Sequence, residues 1–263
     1  MKYLTVCSVH KREGHRLREW IEYHKMVGVE HFYLFDSNDP PDPETDLILA
    51  PYIDAGIVSN KRSLKDGGGW QVRRYSEILE RKPESTWICF IDIDEFMLPQ
   101  MHDHLHVVLR SYEKYAGLGV NWRIFGTSGC VEMPRLVTKS LTKTPLTALS
   151  DNQHIKTFCR WSEVARAIDP HSFLPLRGSI VGEDHLPVTG PRRPFSDNHI
   201  ICNHYIVRSV EDYKIKVERG PGNRPPERNG YSADYFKRFD RSDACSQRMK
   251  DHFSPRLELI LKS

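Results

Sequence analysis

The sequence has no Cys-x-x-Cys pair, no long uninterrupted apolar run and no marked excess of either charge, and each absence excludes a class of protein. Its six cysteines, at positions 7, 89, 130, 159, 202 and 245, are widely scattered, and four of them sit inside apolar runs. That pattern argues against a disulfide framework or a zinc knuckle and leads us to expect a reducing, cytoplasmic setting. No window approaches the roughly 18 apolar residues of a membrane span. The start, MKYLTVCSVHKREGH, turns charged at Lys11-Arg12-Glu13, too soon for a signal peptide, so any membrane contact is expected to be peripheral. With 38 Lys and Arg against 35 Asp and Glu, the net charge of +3 falls far short of a dedicated nucleic-acid binder. What the chain does have is length and core material: 263 residues, 39% of them hydrophobic.

Strand and helix patterns alternate through the first part of the chain. Tyr3–Val9 reads as a strand, and Leu17, Trp20, Ile21, His24 and Val27 follow at helical spacing until Gly28 stops them. His31–Phe35 is a second strand, closed by Asp36 and a Ser-Asn-Asp-Pro-Pro-Asp-Pro loop. Glu44–Asp54 reads as a helix, Ile57–Ser59 as a strand, Gln71–Arg81 as a helix after three glycines, and Trp87–Ile91 as a wholly apolar strand. This rhythm predicts a parallel α/β sheet to about residue 110. Beyond it we expect a mixed second half on the same core, with short strands at Gly119–Phe125, Val164–Ile168 and Ile200–Val207. A helix is expected over Ser209–Arg219, with Ser209 as its cap.

The chemistry concentrates where Trp87–Ile91 runs into Asp92-Ile93-Asp94-Glu95-Phe96. Ligands of α/β sheets gather at the carboxyl ends of strands. If strand geometry persists, Asp92 and Asp94 point to one side and can share a divalent cation. Asp36 ends a strand on the same edge, and Gln71 follows a glycine run that lets backbone approach a ligand. Lys216 and Arg219 lie three apart on one helix, able to reach phosphates, and the Pro- and Gly-rich stretch from Arg219 to Gly230 is expected to act as a lid. Trp122 offers an aromatic face for a sugar ring, whereas Phe125 is expected in the core. His102, His104 and His106 are expected at the surface.

These residues carry a resemblance. Glu19-Trp20-Ile21-Glu22-Tyr23-His24, Gly28–Asp36, Gln71 with Tyr75, and Asp92–Phe96 resemble, in order and spacing, the glycosyltransferases of the family-92 and family-2-like group. Asn121–Gly129 and His204-Tyr205 with Ser209, Lys216, Arg219 and Gly220 extend the likeness to about four-fifths of the chain. Members commonly show Asn-Glu after the first strand. Here Arg12-Glu13 stands instead, which leaves Glu13 but puts a nucleotide role for position 12 in doubt.

The resemblance implies a single GT-A-like α/β domain over 1–263, with a central mixed, largely parallel sheet flanked by helices. Residues 1–110 would form the nucleotide-binding half and 111–263 the acceptor-binding half. It further implies metal-dependent transfer of a sugar from a UDP- or GDP-sugar to a saccharide hydroxyl, with Mn²⁺ or Mg²⁺ held by Asp92, Asp94 and His204, and His171 as the rival histidine. Glu13, Asp36, Gln71, Tyr75, Asp92, Lys216 and Arg219 would bind the nucleotide, and Trp122 and Ser128 the acceptor. Asp243, where members often carry an acid, is the first candidate for the base that an inverting transfer needs; Asp169 and Glu183 are alternatives. Two other readings compete. A haloacid-dehalogenase phosphotransferase also uses Asp-x-Asp, but on its first strand rather than its fourth, and a carbohydrate-binding protein could keep the fold without catalysis.

Overall fold

The computed structural model describes residues 1–146, 149–220 and 230–262. The first part of the chain forms β1 (Lys2–His10), α1 (Gly14–Met26), β2 (His31–Asp36), α2 (Pro43–Asp54), β3 (Val58–Arg62), α3 (Trp70–Leu79) and β4 (Ser85–Phe90). Then follow β5 (Glu95–Pro99), α4 (Leu105–Leu109), β6 (Gly117–Ile124), α5 (Val137–Ser140), β7 (Lys143–Thr144) and β8 (Ile155–Arg160). The remainder is β9 (Val164–Ala167), β10 (Phe173–Pro175), β11 (Ile180–Val181), β12 (Ile200–His204), α6 (Val210–Arg219), α7 (Ala233–Phe239), β13 (Ala244–Cys245) and α8 (Ser254–Ile260). The boundaries have local causes. Asp42 caps α2 by accepting from the Glu44 amide, and Pro43 takes the first helical position, where its missing N–H costs nothing. Ser209 caps α6 by accepting from the Asp212 amide, as expected. Gly69 enters α3 at φ +72°, which a side chain would resist.

The main sheet runs β3-β2-β1-β4-β8-β6-β12-β5, with β11 also paired to β6. Strands β1 to β4 are parallel, as are β6 and β12, whereas β8 is antiparallel to both β4 and β6, and β5 to β12. This is the expected α/β class, a mixed, largely parallel sheet with helices about it. Helices and loops cover both faces, so β2 from Phe32 to Phe35 and β4 from Trp87 to Phe90 are apolar on both sides. Phe32, Leu34, Trp87 and Cys89 enter the larger core, and Tyr33, Phe35, Ile88 and Phe90 the smaller one on the other face.

Two expectations need correction. Strand β8 was not foreseen, because Ile-Lys-Thr-Phe-Cys-Arg places a lysine mid-run; that lysine is buried among carboxylates. Strand β4 ends at Phe90, so strand geometry does not persist through Asp92 and Asp94; the chain turns there and returns as β5. The second half does join the same core, as expected. Strands β6, β8 and β12 complete the sheet begun by β1–β4, and they do so from the second half of the chain. The six cysteines are unpaired, with Cys7, Cys89, Cys159 and Cys202 buried. Among the described residues, no helix is long and apolar enough to cross a membrane.

Helices α1 and α6, far apart in sequence, are joined through a buried ion pair. Arg16 Nε and Nη2 donate to Asp212 Oδ1 and Oδ2 at 3.1 and 2.6 Å, and Arg16 Nη1 reaches the Pro134 carbonyl. Burial works against the Asp212 charge, but His15, Arg208 and Arg16 outweigh it and hold the carboxyl well below the carboxylate range. Arg16→Met leaves that carboxylate without its fork, so we expect a loss of about 3–5 kcal/mol in urea unfolding with little change in m. Since the folded state depresses the Asp212 pKa, the pair's contribution is complete above the unfolded value of about 4 and fades as pH falls below it. The difference between wild type and variant should shrink correspondingly in unfolding curves taken below about pH 4.

Candidate active site

A cleft of about 360 Å³ opens where β1, β4 and β12 end. The ends of β1 and β2 supply Lys11 and Ser37, the start of α3 supplies Gln71, and the β4–β5 turn supplies Asp92 and Asp94. Strand β6 contributes Trp122, β12 contributes His204, and α6 contributes Lys216 and Arg219. A chain of contacts crosses it. Lys216 Nζ lies 2.8 Å from Asp94 Oδ2, and Asp94 Oδ1 lies 3.5 Å from His204 Nε2. The His204 ring packs 4.4 Å from that of Trp122, which in turn meets His154 at 4.9 Å and His171 at 5.2 Å.

The two aspartates do different things. Asp92 spends both oxygens on protein: Oδ1 accepts from Gln71 Nε2 and Oδ2 from Lys156 Nζ, each at 2.8 Å. Lys156, fully buried on β8, also lies 3.2 Å from Glu95 Oε2. Burial opposes ionisation of Asp92, but Lys156 prevails and keeps it below its ordinary value. For Asp94 burial is likewise outweighed, by Lys216 and His204, and the carboxyl is held well down. Glu95 goes the other way: burial, with Asp92 and Asp94 close by, pushes it up to about 8 despite Lys156. Burial lowers His204 against the pull of Asp94, leaving a neutral imidazole suited to ligation.

This donor set bears on the implied cation. Asp94 Oδ1 and His204 Nε2, 3.5 Å apart, are the two donors that could hold a divalent ion between them. Asp92 is turned to Lys156 and Gln71 instead, because β4 has already ended. Among the described residues, no group of three or more His, Cys, Asp or Glu is arranged to hold a metal. Of the three expected ligands, Asp94 and His204 therefore stand together and Asp92 does not.

The other expected residues fall into two sets. Lining the cleft are Glu13, Gln71, Lys216, Arg219 and Trp122. Glu13 is engaged by Arg219 at 2.7 Å and Arg208 at 3.1 Å, so it anchors a cationic side chain there. Behind the cleft, buried Tyr75 accepts from Gln71 through its hydroxyl, and Asp36 accepts from the Asn38 amide, shaping the loop that carries Ser37.

Ser128 lies away from the cleft and accepts from the amides of Thr142 and Lys143. Asp243 is exposed, paired with Arg241, and does not line it. Glu183 binds the 196–199 loop, and Asp169 holds the turn that carries His171. Phe125 is buried, and His102 and His104 are exposed, as expected. Nearly all of the expected lid falls at 221–229, outside the described residues. Sequence reasoning missed Lys156, His154 and Asp151, all near the start of β8. The lysine within an otherwise strand-like run was the available signal.

The Asp94–Lys216 pair carries a stability consequence. Asp94→Asn leaves the partly buried Lys216 ammonium with the Ile206 carbonyl but no counter-charge, so the variant should lose a few kcal/mol rather than fold unchanged. In a double-mutant cycle with Lys216→Met, urea unfolding should return a coupling of about 1–3 kcal/mol.

Comparison with known proteins places the chain in a family. A glycosyltransferase family 92 protein of Oryza sativa subsp. japonica is 26% identical over 217 residues, which cover 81% of this chain but 35% of that protein. One from Ricinus communis is 27% identical over 135 residues, covering 50% of this chain and 24% of the relative. The chain thus spans about a third or less of these relatives' length. Among solved structures, S. aureus TarS 1-349 overlays with a TM-score of 0.44 at 15% identity, covering 82% of this chain and 63% of that one. Residues 2–167 match the family profile described as Glycosyltransferase family 92, and the chain belongs to that family.

Proposed function

We propose that this chain transfers a glycosyl group from a nucleotide-sugar donor to a hydroxyl of a saccharide acceptor. The observation that carries the reading is the cleft itself: in a family 92 chain, Lys216 and Arg219 stand at the sheet edge beside Asp94 and His204. A nucleoside diphosphate needs such cations, because negative charge builds on it as the glycosyl bond breaks. Burial opposes the charge on Lys216, but Asp94 outweighs it, so the ammonium persists at working pH. Arg219 is oriented by Glu13 and by the Lys11 carbonyl, ready for a phosphate. Gln71 suits the ribose, and Trp122 a sugar ring.

Mn²⁺ or Mg²⁺, held by Asp94 and His204, would neutralise further charge on the leaving diphosphate. For deprotonating the acceptor, Asp151 replaces Asp243 in this proposal. It lines the cleft, and its pairing with Arg238 at the surface leaves it outside the lysine pairs that occupy Asp92 and Asp94. Family membership disfavours the haloacid-dehalogenase alternative. UDP and GDP remain equivalent in this proposal.

Titration calorimetry with UDP and GDP tests it. One of the two should bind, and Mn²⁺ should tighten it at least tenfold over chelator in wild type but not in Asp94→Asn. Arg219→Ala should weaken it by about ten- to a hundredfold. A folded protein that binds neither nucleotide, and releases sugar from no nucleotide-sugar, would overturn the reading.

A further inference from the structure

We propose that His171 reads a hydroxyl group of the sugar in the cleft, accepting its hydrogen bond at Nε2; this rests on the glycosyl-transfer reading above. His171 lies between β9 and β10 and lines the cleft. Its turn is tightly tied. Asp169 Oδ1 accepts from the amides of His171 at 2.7 Å and Ser172 at 2.9 Å, and Thr157 Oγ1 donates to the His171 carbonyl at 2.6 Å.

The ring is fixed as well. Nδ1 lies 2.9 Å from the Ile155 carbonyl, which can only accept, so Nδ1 carries the proton and Nε2 the lone pair. Nε2 has no hydrogen bond to any described residue. Burial, then the nearby Lys156 ammonium, lowers the imidazole to about 3, so Nε2 is an acceptor and not a donor at neutral pH.

An acceptor fixed in this way selects its ligand. Phosphate oxygens are acceptors too and gain nothing from it, whereas an O–H matches it. A divalent ion is disfavoured there, because Lys156 is close and Asp92 already spends both oxygens on Lys156 and Gln71. The Trp122 ring, 5.2 Å away and nearly perpendicular, lines the cleft beside that acceptor. In this account Asp169, an alternative candidate for the base in the sequence reading, is a positioning residue for His171.

The test is steady-state kinetics with UDP-glucose, UDP-xylose and GDP-mannose, with oligosaccharide acceptors, on wild type, His171→Asn and His171→Gln. The asparagine amide can stand in for Nδ1–H while removing Nε2; the glutamine carbonyl returns an acceptor near Nε2. We expect His171→Asn to raise one KM by about ten- to a hundredfold with kcat within a few-fold, and His171→Gln to recover much of it. Melting temperature and UDP or GDP affinity should stay at wild-type values. If the donor KM moves, also in hydrolysis without acceptor, the hydroxyl belongs to the transferred sugar; if only the acceptor KM moves, it belongs to the acceptor.

Unchanged KM values in an active wild-type background would overturn the role of His171 alone. A kcat loss of about a thousandfold at constant KM would make it a base, and weakened Mn²⁺ binding in calorimetry would make it a ligand; either result overturns the proposal. A wild type that turns over none of these donors and binds neither nucleotide overturns the glycosyl-transfer reading instead.

Discussion

Lys156 is a positive charge in the middle of a sheet, with none of its surface exposed. A lone ammonium there would be prohibitive, and it is tolerated because Asp92 and Glu95 receive it at 2.8 and 3.2 Å. That requirement constrains much of what surrounds it. Strand β8 must lie beside β4 so that Lys156 meets the turn following Phe90, and the turn must present Asp92 rather than continue as strand. Once β8 is inserted antiparallel between β4 and β6, the second half of the chain has no separate sheet to form.

The same charges prepare the cleft. Asp92 and Asp94 are both held ionised, each by its own lysine, while Glu95 beside them is pushed up to about 8 by burial and by those two neighbours. A site whose charges are set before a ligand arrives reorganises little when charge develops in a reaction. Asp92 supports the floor of the cleft with Lys156 and Gln71, and Asp94 faces His204. Two acids separated by one residue thus end in different roles.

The cationic side of the cleft has its own supports. The Arg16–Asp212 fork fastens α6 to α1, and Glu13, at the start of α1, grips Arg208 and Arg219. Helix α6 therefore carries Lys216 and Arg219 into the cleft from a position secured at two points. The aromatic side depends on β6 and on the turn before β10, where Trp122 and His171 meet.

By itself the sequence determined what depends on neighbours along the chain. Apolar runs and helical spacing marked β2, β4 and α1, while Gly28 and Ser209 marked helix ends, because caps and breakers act within a turn. The sequence also showed the Asp-x-Asp motif at a strand end and the residues that carry the family likeness. Tertiary structure alone decided which charges meet. Lys156 lies 64 residues from Asp92 and Lys216 lies 122 from Asp94, distances across which no local pattern reports. For the same reason the sequence pointed to Asp243 and Ser128 and passed over Asp151, until folding left the first two outside the cleft and placed Asp151 within it. An ion pair is set by where strands and helices pack, and burial then determines whether each group is charged.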